Sequence, residues 1–234
     1  MSVLMTKTQG ITLIGGGAPG GESLRRALSV APHLVAADGG ADAALALGYR
    51  PDLVVGDLDS LSDAARETLG PGRIHHDPDQ ETTDFDKVLA AVSAPVLIAV
   101  GFTGARLDHT LAAMSTLARN PERRLILDTG EDLCLLCPPE LDLRLDPGTR
   151  VSLYPLAPLR CASNGLEWPT DPLRFDPLGR IGTSNAARTG PVSLAPAAPQ
   201  MLLLIPVASL DALLAGLAEA PSWPALSQIR PDLA

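Results

Sequence analysis

Pro51-Asp52-Leu53-Val54-Val55-Gly56-Asp57-Leu58-Asp59-Ser60 (PDLVVGDLDS) places a short apolar run, a glycine and two aspartates in ten residues. Leu53–Val55 reads as a buried strand that ends at Gly56. Asp57 and Asp59, at i and i+2 on a strand-end loop, can both turn toward one hard cation. Mg²⁺ takes oxygen ligands and keeps several waters while bridging to substrate phosphates. Gly56 leaves room for a phosphate at the same loop. An Asp-rich turn with a helix cap accounts for Ser60 but not for both aspartates. Ser60-Leu61-Ser62-Asp63 has the form of a capping box, with Ser60 as N-cap and Asp63 reaching back.

The same strand-loop-helix unit recurs on both sides of this stretch. Ile11–Ile14 is apolar and runs into Gly15-Gly16-Gly17, and a helix is expected over Glu22–Val30. Leu34–Ala37 runs into Asp38-Gly39-Gly40 and an alanine-rich helix that reaches about Leu47. Further on, a helix starts at Thr83, with Phe85, Val88, Leu89 and Val92 on one face. Val96–Val100 is a buried strand, Leu107, Leu111 and Met114 mark another amphipathic helix, and Arg124–Leu127 closes the series. Strands alternating with helices imply right-handed crossovers and a mostly parallel sheet. The motifs then fall at the C-terminal edge of that sheet, where such folds bind ligands.

The charge is concentrated in the same region. Of the net −9 carried by 234 residues, all of it lies between Asp38 and Asp86, which hold twelve carboxylates and three arginines. The acidity and the 3% aromatic content disfavour broad binding to nucleic acid or to a membrane surface. Membrane spans and an N-terminal signal segment are absent from the sequence pattern. Three cysteines do not form a disulfide framework, so the expected compartment is the cytoplasm. Cys134-Leu135-Leu136-Cys137 has C-x-x-C spacing but no second pair for zinc, and it reads as a buried strand. A P-loop is also missing, since the chain has just two lysines, Lys7 and Lys87.

Three further segments carry chemistry. Gly15-Gly16-Gly17-Ala18-Pro19-Gly20 matches G-x-G-x-x-G, and Asp38 ends the next strand eighteen residues later. That is the dinucleotide fingerprint, so an NAD(P)-binding oxidoreductase of Rossmann type is one expectation. Asp79-Gln80-Glu81-Thr82-Thr83-Asp84-Phe85-Asp86-Lys87 places acids and hydroxyls at a helix N-terminus, which suits phosphate oxygens and a metal. N-capping accounts for Thr83 and Asp86 but leaves Gln80, Thr82 and Asp84, while Asp84 and Lys87 share a face. Gly101-Phe102-Thr103-Gly104-Ala105-Arg106-Leu107-Asp108-His109 is a Gly-rich turn whose Arg106 can neutralise phosphate. Asp108 there also suits an N-cap, and His109 a surface position.

After Cys137 the composition changes. Fifteen of the 22 prolines lie there, and the apolar runs shorten to Val151–Tyr154, Arg180–Thr183, Val192–Leu194 and Met201–Ile205. A smaller β-rich domain is expected from about Pro138-Pro139 onward, ending in an amphipathic helix over Val207–Ala220.

In order along the chain, Ala37–Ala41, PDLVVGDLDS, PDQETTDFDK (Pro78–Lys87) and GFTGARLDH (Gly101–His109) resemble the thiamine pyrophosphokinase (thiamine diphosphokinase) family. Gly165-Leu166-Glu167-Trp168 and Thr183-Ser184-Asn185 resemble its thiamine-pocket segments, and the likeness runs from about Ile11 to Ile205. The resemblance implies an α/β fold: a Rossmann-like, mostly parallel catalytic domain (1–137) followed by a smaller all-β sandwich (138–234). It implies a cytoplasmic homodimer with active sites shared between subunits. The implied reaction is Mg²⁺-dependent transfer of pyrophosphate from ATP to the hydroxyl of thiamine, giving thiamine diphosphate and AMP. A non-catalytic thiamine- or nucleotide-binding regulator is the other alternative.

By matching position, Asp57, Asp59 and Asp84 would handle Mg²⁺ and phosphates, with Asp38 nearby and Arg106 and Asp108 beside them in the catalytic set. ATP would meet Asp38, Gly39, Gly40, Gln80, Thr82, Thr83, Lys87, Thr103, Gly104 and His109. Thiamine would meet Trp168, Ser184 and Asn185. Ala105 departs from the family pattern, and the chain after Ile205 matches nothing in it.

Overall fold

The computed structural model describes residues 3–104 and 106–229, so Ala105 and the last residues of the chain lie outside the description. Two compact units result. One comprises the chain up to Thr116 together with Leu125–Gly130; the other comprises Leu117–Arg124 and the chain from Glu131 onward.

The first unit alternates strand and helix. Its elements are β1 (Met5–Thr6), β2 (Ile11–Ile14), α1 (Gly21–Val30), β3 (His33–Ala37), α2 (Gly40–Ala46), β4 (Leu53–Gly56) and α3 (Asp63–Leu69). They continue as β5 (Ile74–His76), α4 (Asp84–Ala91), β6 (Val92–Ser93), β7 (Leu97–Val100), α5 (Leu107–Arg119) and β8 (Leu125–Asp128). Strands β2, β7 and β8 pair in parallel, as do β3, β4 and β5. Strand β3 packs beside β2, with a bridge from Ile11 to Pro32. Every residue of β2, β7 and β8 is buried, as in parallel sheets covered on both faces. The parallel register brings Gly15, Asp38, Asp57 and Gly101 to one edge, because each immediately follows the last residue of a strand.

Two local readings change. Helix α3 is capped by Ser62, whose hydroxyl accepts from Ala65 N at 3.1 Å, so it starts two residues beyond the expected cap. Ser60 is spent elsewhere: its N–H donates to Asp38 Oδ2 (3.1 Å) and its hydroxyl to Asp59 Oδ1 (2.9 Å). On α5, Leu107 and Leu111 are exposed, and the buried positions are Ala113, Thr116 and Leu117. The hydrophobic spacing marked the helix correctly but not the side it buries.

The second unit is built on antiparallel pairing. Its strands are β9 (Asp132–Leu136), β10 (Leu141–Leu143), β11 (Arg150–Pro155), β12 (Cys161–Asn164), β13 (Gly182–Ala186), β14 (Val192–Pro196) and β15 (Met201–Pro206). They pair in the orders β9-β15-β11-β13 and β10-β14-β12. Strand β13 begins two residues after the apolar run expected at Arg180, because Gly182, not Arg180, meets Leu153 of β11.

Beyond Ile205 a 3₁₀ turn (Val207–Ser209) leads into α6 (Leu210–Glu219) and a short α7 (Leu226–Ile229). Helix α6 packs on β10, where a Cβ at Gly216 would come within 2.5 Å of the Asp142 carbonyl oxygen. The Trp223 indole then donates to the Cys137 carbonyl at 2.9 Å. The tail that matched no family segment is therefore a structural part of this unit. Cys134, Cys137 and Cys161 are buried and outside any disulfide among the described residues. Burial pushes the Cys134 thiol up to about 12 and that of Cys161 to about 11, in keeping with a structural reading of the C-x-x-C spacing.

Candidate active site

The carboxylates of Asp38, Asp57 and Asp59 converge at the sheet edge, with one oxygen from each within 4.8 Å of the others. Sequence reasoning had put Asp38 beside the metal set, yet it is the buried member of this trio. Asp38 is 3% exposed and sits at φ +43°, a conformation rare for residues other than glycine. Its Oδ2 accepts from Ser60 N, and its Oδ1 is buried with no hydrogen-bond partner. A buried, unpartnered carboxylate oxygen is costly unless a cation or donor completes it. Burial, followed by the charge of Asp84, pushes the Asp38 carboxyl above the usual range despite the Ser60 N–H.

The loop that carries Asp57 and Asp59 is held from several sides. Leu58 between them is left-handed at φ +66°, and its carbonyl accepts from the Arg66 guanidinium. The Asp42 carboxylate takes both the Ser62 hydroxyl and the Ser62 N–H (3.1 Å for the latter). Asp42, Ser62 and Arg66 were not singled out from sequence, because nothing in their spacing announces a contact across the α2 and α3 starts. Asp57 Oδ2 accepts from Gln80 Nε2 at 3.0 Å. That hydrogen bond, with help from Asp59 N and Lys87, holds the Asp57 carboxyl below its ordinary value.

Asp84 joins through Lys87 and is not one of the converging three. The Lys87 ammonium lies 3.3 Å from Asp84 Oδ1 and 3.5 Å from Asp57 Oδ2, and its side chain is 2% exposed. Burial opposes the lysine charge, but Asp84 and Asp57 outweigh it and raise the Lys87 pKa. Burial also raises the Asp84 carboxyl, against the pull of Lys87. Thr83 is the N-cap of α4 in a full capping box with Asp86, and Thr82 donates to Asp79 Oδ2 at 2.8 Å. These hydroxyls are thus engaged in holding the loop that presents Gln80 and Asp84.

The glycine loops owe their composition to each other. Gly17 N donates to the Gly101 carbonyl at 2.8 Å. A Cβ at Gly15 or Gly17 would lie 2.7 or 2.6 Å from Gly101 O, and one at Gly40 would lie 2.2 Å from Ile14 O. Backbone packing at the sheet edge therefore accounts for Gly15 and Gly17, the first two glycines of the G-x-G-x-x-G match. A Cβ at Gly39 would meet Ser60 at 3.2 Å. Phe102 stacks on Phe85, ring centroids 4.0 Å apart, which ties the Gly101–Gly104 turn to α4. Beyond that turn, Arg106 pairs with Asp108 at 2.6 Å, both well exposed. Gly104 N donates to the Thr110 hydroxyl, Thr103 is half-buried and His109 is exposed.

In the second unit Trp168 is 61% exposed and borders a cavity of about 300 Å³, also lined by Phe175, Arg180, Thr183 and Asn185. Asn185 is buried and clamps the Trp168 backbone: its Oδ1 accepts from Trp168 N (3.1 Å) and its Nδ2 donates to Trp168 O (2.7 Å). Ser184 is exposed and left-handed at φ +62°, its N–H donating to Ser152 Oγ.

Comparison with known proteins gives the context. Residues 24–127 match the family described as "Thiamin pyrophosphokinase, catalytic domain". The chain is 28% identical over 159 residues to "Thiamine pyrophosphokinase 1" of Arabidopsis thaliana, and 29% over 160 residues to "Thiamine pyrophosphokinase 3" of Oryza sativa subsp. japonica. Each match covers 60% of this chain and 60% of the relative's length. Thiamin pyrophosphokinase from Candida albicans superposes with a TM-score of 0.72 at 17% identity, over 88% of this chain and 93% of that one. The yeast enzyme gives 0.71 at 17% identity, over 92% and 94%. The solved structures share the fold. The converging aspartates lie within the segment that matches that catalytic-domain family.

Proposed function

We propose that this protein is a thiamine diphosphokinase that transfers pyrophosphate from ATP to the hydroxyl of thiamine, giving thiamine diphosphate and AMP. The observation that carries the reading is the convergence of Asp38, Asp57 and Asp59, with a buried, unpartnered Asp38 oxygen, inside the segment that matches the family's catalytic domain. An all-oxygen donor set of this kind fits Mg²⁺. Asp38, Asp57 and Asp59 would hold the ion, with Asp84 beside them. When bound, Mg²⁺ neutralises phosphate charge and aligns the chain of phosphates.

The chain's own residues supply the rest. Gln80, Lys87, Arg106 and Asp108 position ATP, together with Thr82, Thr83, Thr103 and His109, and Gly39 and Gly40 allow its close approach. The thiamine oxygen attacks the β-phosphorus, and the bond from that phosphorus to the oxygen bridging to the α-phosphorus breaks, so that AMP leaves. The hydroxyl proton passes to Asp57 or Asp84. Trp168 lies against the cationic thiazolium or the pyrimidine, with Ser184 and Asn185 at the same pocket.

On this reading a Rossmann-like ATP-binding domain spans residues 1–137 and a thiamine-binding β-sandwich residues 138–234. The protein works in the cytoplasm as a homodimer with shared active sites and without nucleic-acid or membrane partners. Among the described residues no helix is long and apolar enough to cross a membrane. Incubation with Mg-ATP and thiamine, followed by product analysis, tests the reading. Thiamine diphosphate with AMP supports it, whereas ADP with thiamine monophosphate, or no product, refutes it.

A further inference from the structure

Lys87 is one of two lysines in the chain, and its side chain is almost wholly buried among acids. Asp38, Asp57, Asp59 and Asp84 gather at one sheet edge, and its ammonium contacts two of them. Asp57 Oδ2 is doubly engaged, by that ammonium at 3.5 Å and by the Gln80 amide at 3.0 Å. Asp57 Oδ1 is also in use, accepting from Asp59 N at 3.4 Å. A divalent ion that arrives alone meets carboxylates already shared with a resident cation, and must work against that cation's charge. The phosphates of a nucleotide change the balance by adding negative charge on the open side.

We propose that Lys87 is the built-in counter-ion of the carboxylate cluster, held between Asp57 and Asp84 so that a divalent metal binds weakly by itself and enters with the nucleotide. The inference rests on the metal-site reading above and adds an order of binding to it. Lys87 is then a positioning residue in the free protein, because it acts on the cluster before any substrate is present. Coulomb repulsion between unit charges a few ångströms apart in a partly buried site is strong enough to shift metal affinity by roughly tenfold.

The test titrates the full chain with Mn²⁺ in the absence of nucleotide, counting free ion by electron paramagnetic resonance. Lys87→Met should bind Mn²⁺ on the order of tenfold more tightly than the unsubstituted protein. Lys87→Arg, which keeps the charge, should stay as weak. Asp59→Asn added to Lys87→Met should remove the gain, which separates this site from other surface carboxylates. Lys87→Gln takes the place of the methionine variant if that chain does not fold. Equal or weaker Mn²⁺ binding in the folded neutral variant overturns the proposal. Product analysis on the unsubstituted protein reports separately on the kinase reading, so a tighter Lys87→Met without thiamine diphosphate formation would retain the counter-ion and reject the activity.

Discussion

A Cβ built on Gly56 would stand 2.9 Å from the Cβ of Asp38, so the side chain that one strand end lacks is the space that the neighbouring strand's aspartate fills. Asp38 N donates to Val55 O at 3.0 Å, which carries the β3–β4 ladder one step further and sets the two positions side by side. The space beside Gly56 is bounded by the Cβ and backbone of Asp38. Gly56→Ala should therefore displace Asp38. Mg-dependent turnover should fall by at least about tenfold, while the melting temperature drops by no more than a few degrees, as for ordinary overpacking.

Asp59→Asn should abolish turnover and leave the fold intact, since Asp59 is exposed and its hydrogen bonds, from the Ser60 hydroxyl and from its own N–H to Asp57, are local. The check is product formation beside a thermal melt. Near-normal activity in this variant would sink the metal assignment.

Asp38 links function to stability. Its carboxyl is raised by burial, so the native state holds the proton more tightly than the unfolded chain does. The sign follows: Asp38 favours folding most at pH below its ordinary range, and that contribution is lost as pH rises through the raised folded value. Asp38→Asn should thus melt higher than the unsubstituted protein near pH 8 by roughly 2–4 °C, with a smaller gap near pH 5. Mg²⁺ should raise the melting temperature of the unsubstituted protein more than that of the variant.

Trp168→Ala should raise KM for thiamine by about tenfold, the loss of an aromatic–cation contact of ~1–2 kcal/mol. The melt should barely move, because Trp168 is 61% exposed. Asn185→Ala should also raise KM, but with a stability loss of about 1–2 kcal/mol, because it removes buried ties to the Trp168 backbone. A variant of Trp168 with unchanged KM would remove it from the substrate pocket.

Gly40→Ala should be the most destabilising of these changes, by about 3 kcal/mol or more, since its Cβ would meet a backbone oxygen that cannot turn aside. Urea melts on purified protein would show it. A loss below about 1 kcal/mol would mean that α2 can shift away from β2 at little cost.

The sequence by itself determined what is local. Apolar runs ending in Gly or Asp marked β2, β3, β4 and β7, the 3.6-residue period marked α4, and Thr83 with Asp86 marked its cap, because strand burial, helix periodicity and capping depend on neighbours along the chain. The acidic stretch and the family-like segments singled out the residues of the candidate site. Only the tertiary structure decided which carboxylates meet. Parallel register sets Asp38 beside Asp57 and Asp59, whereas Asp84 reaches Asp57 through the ammonium of Lys87. It also set Gly15 and Gly17 of the glycine fingerprint against the Gly101 backbone, and turned Leu107 and Leu111 outward from the core. These outcomes depend on which residues far apart in the chain share a sheet edge, and that is set by strand order and register rather than by spacing along the sequence.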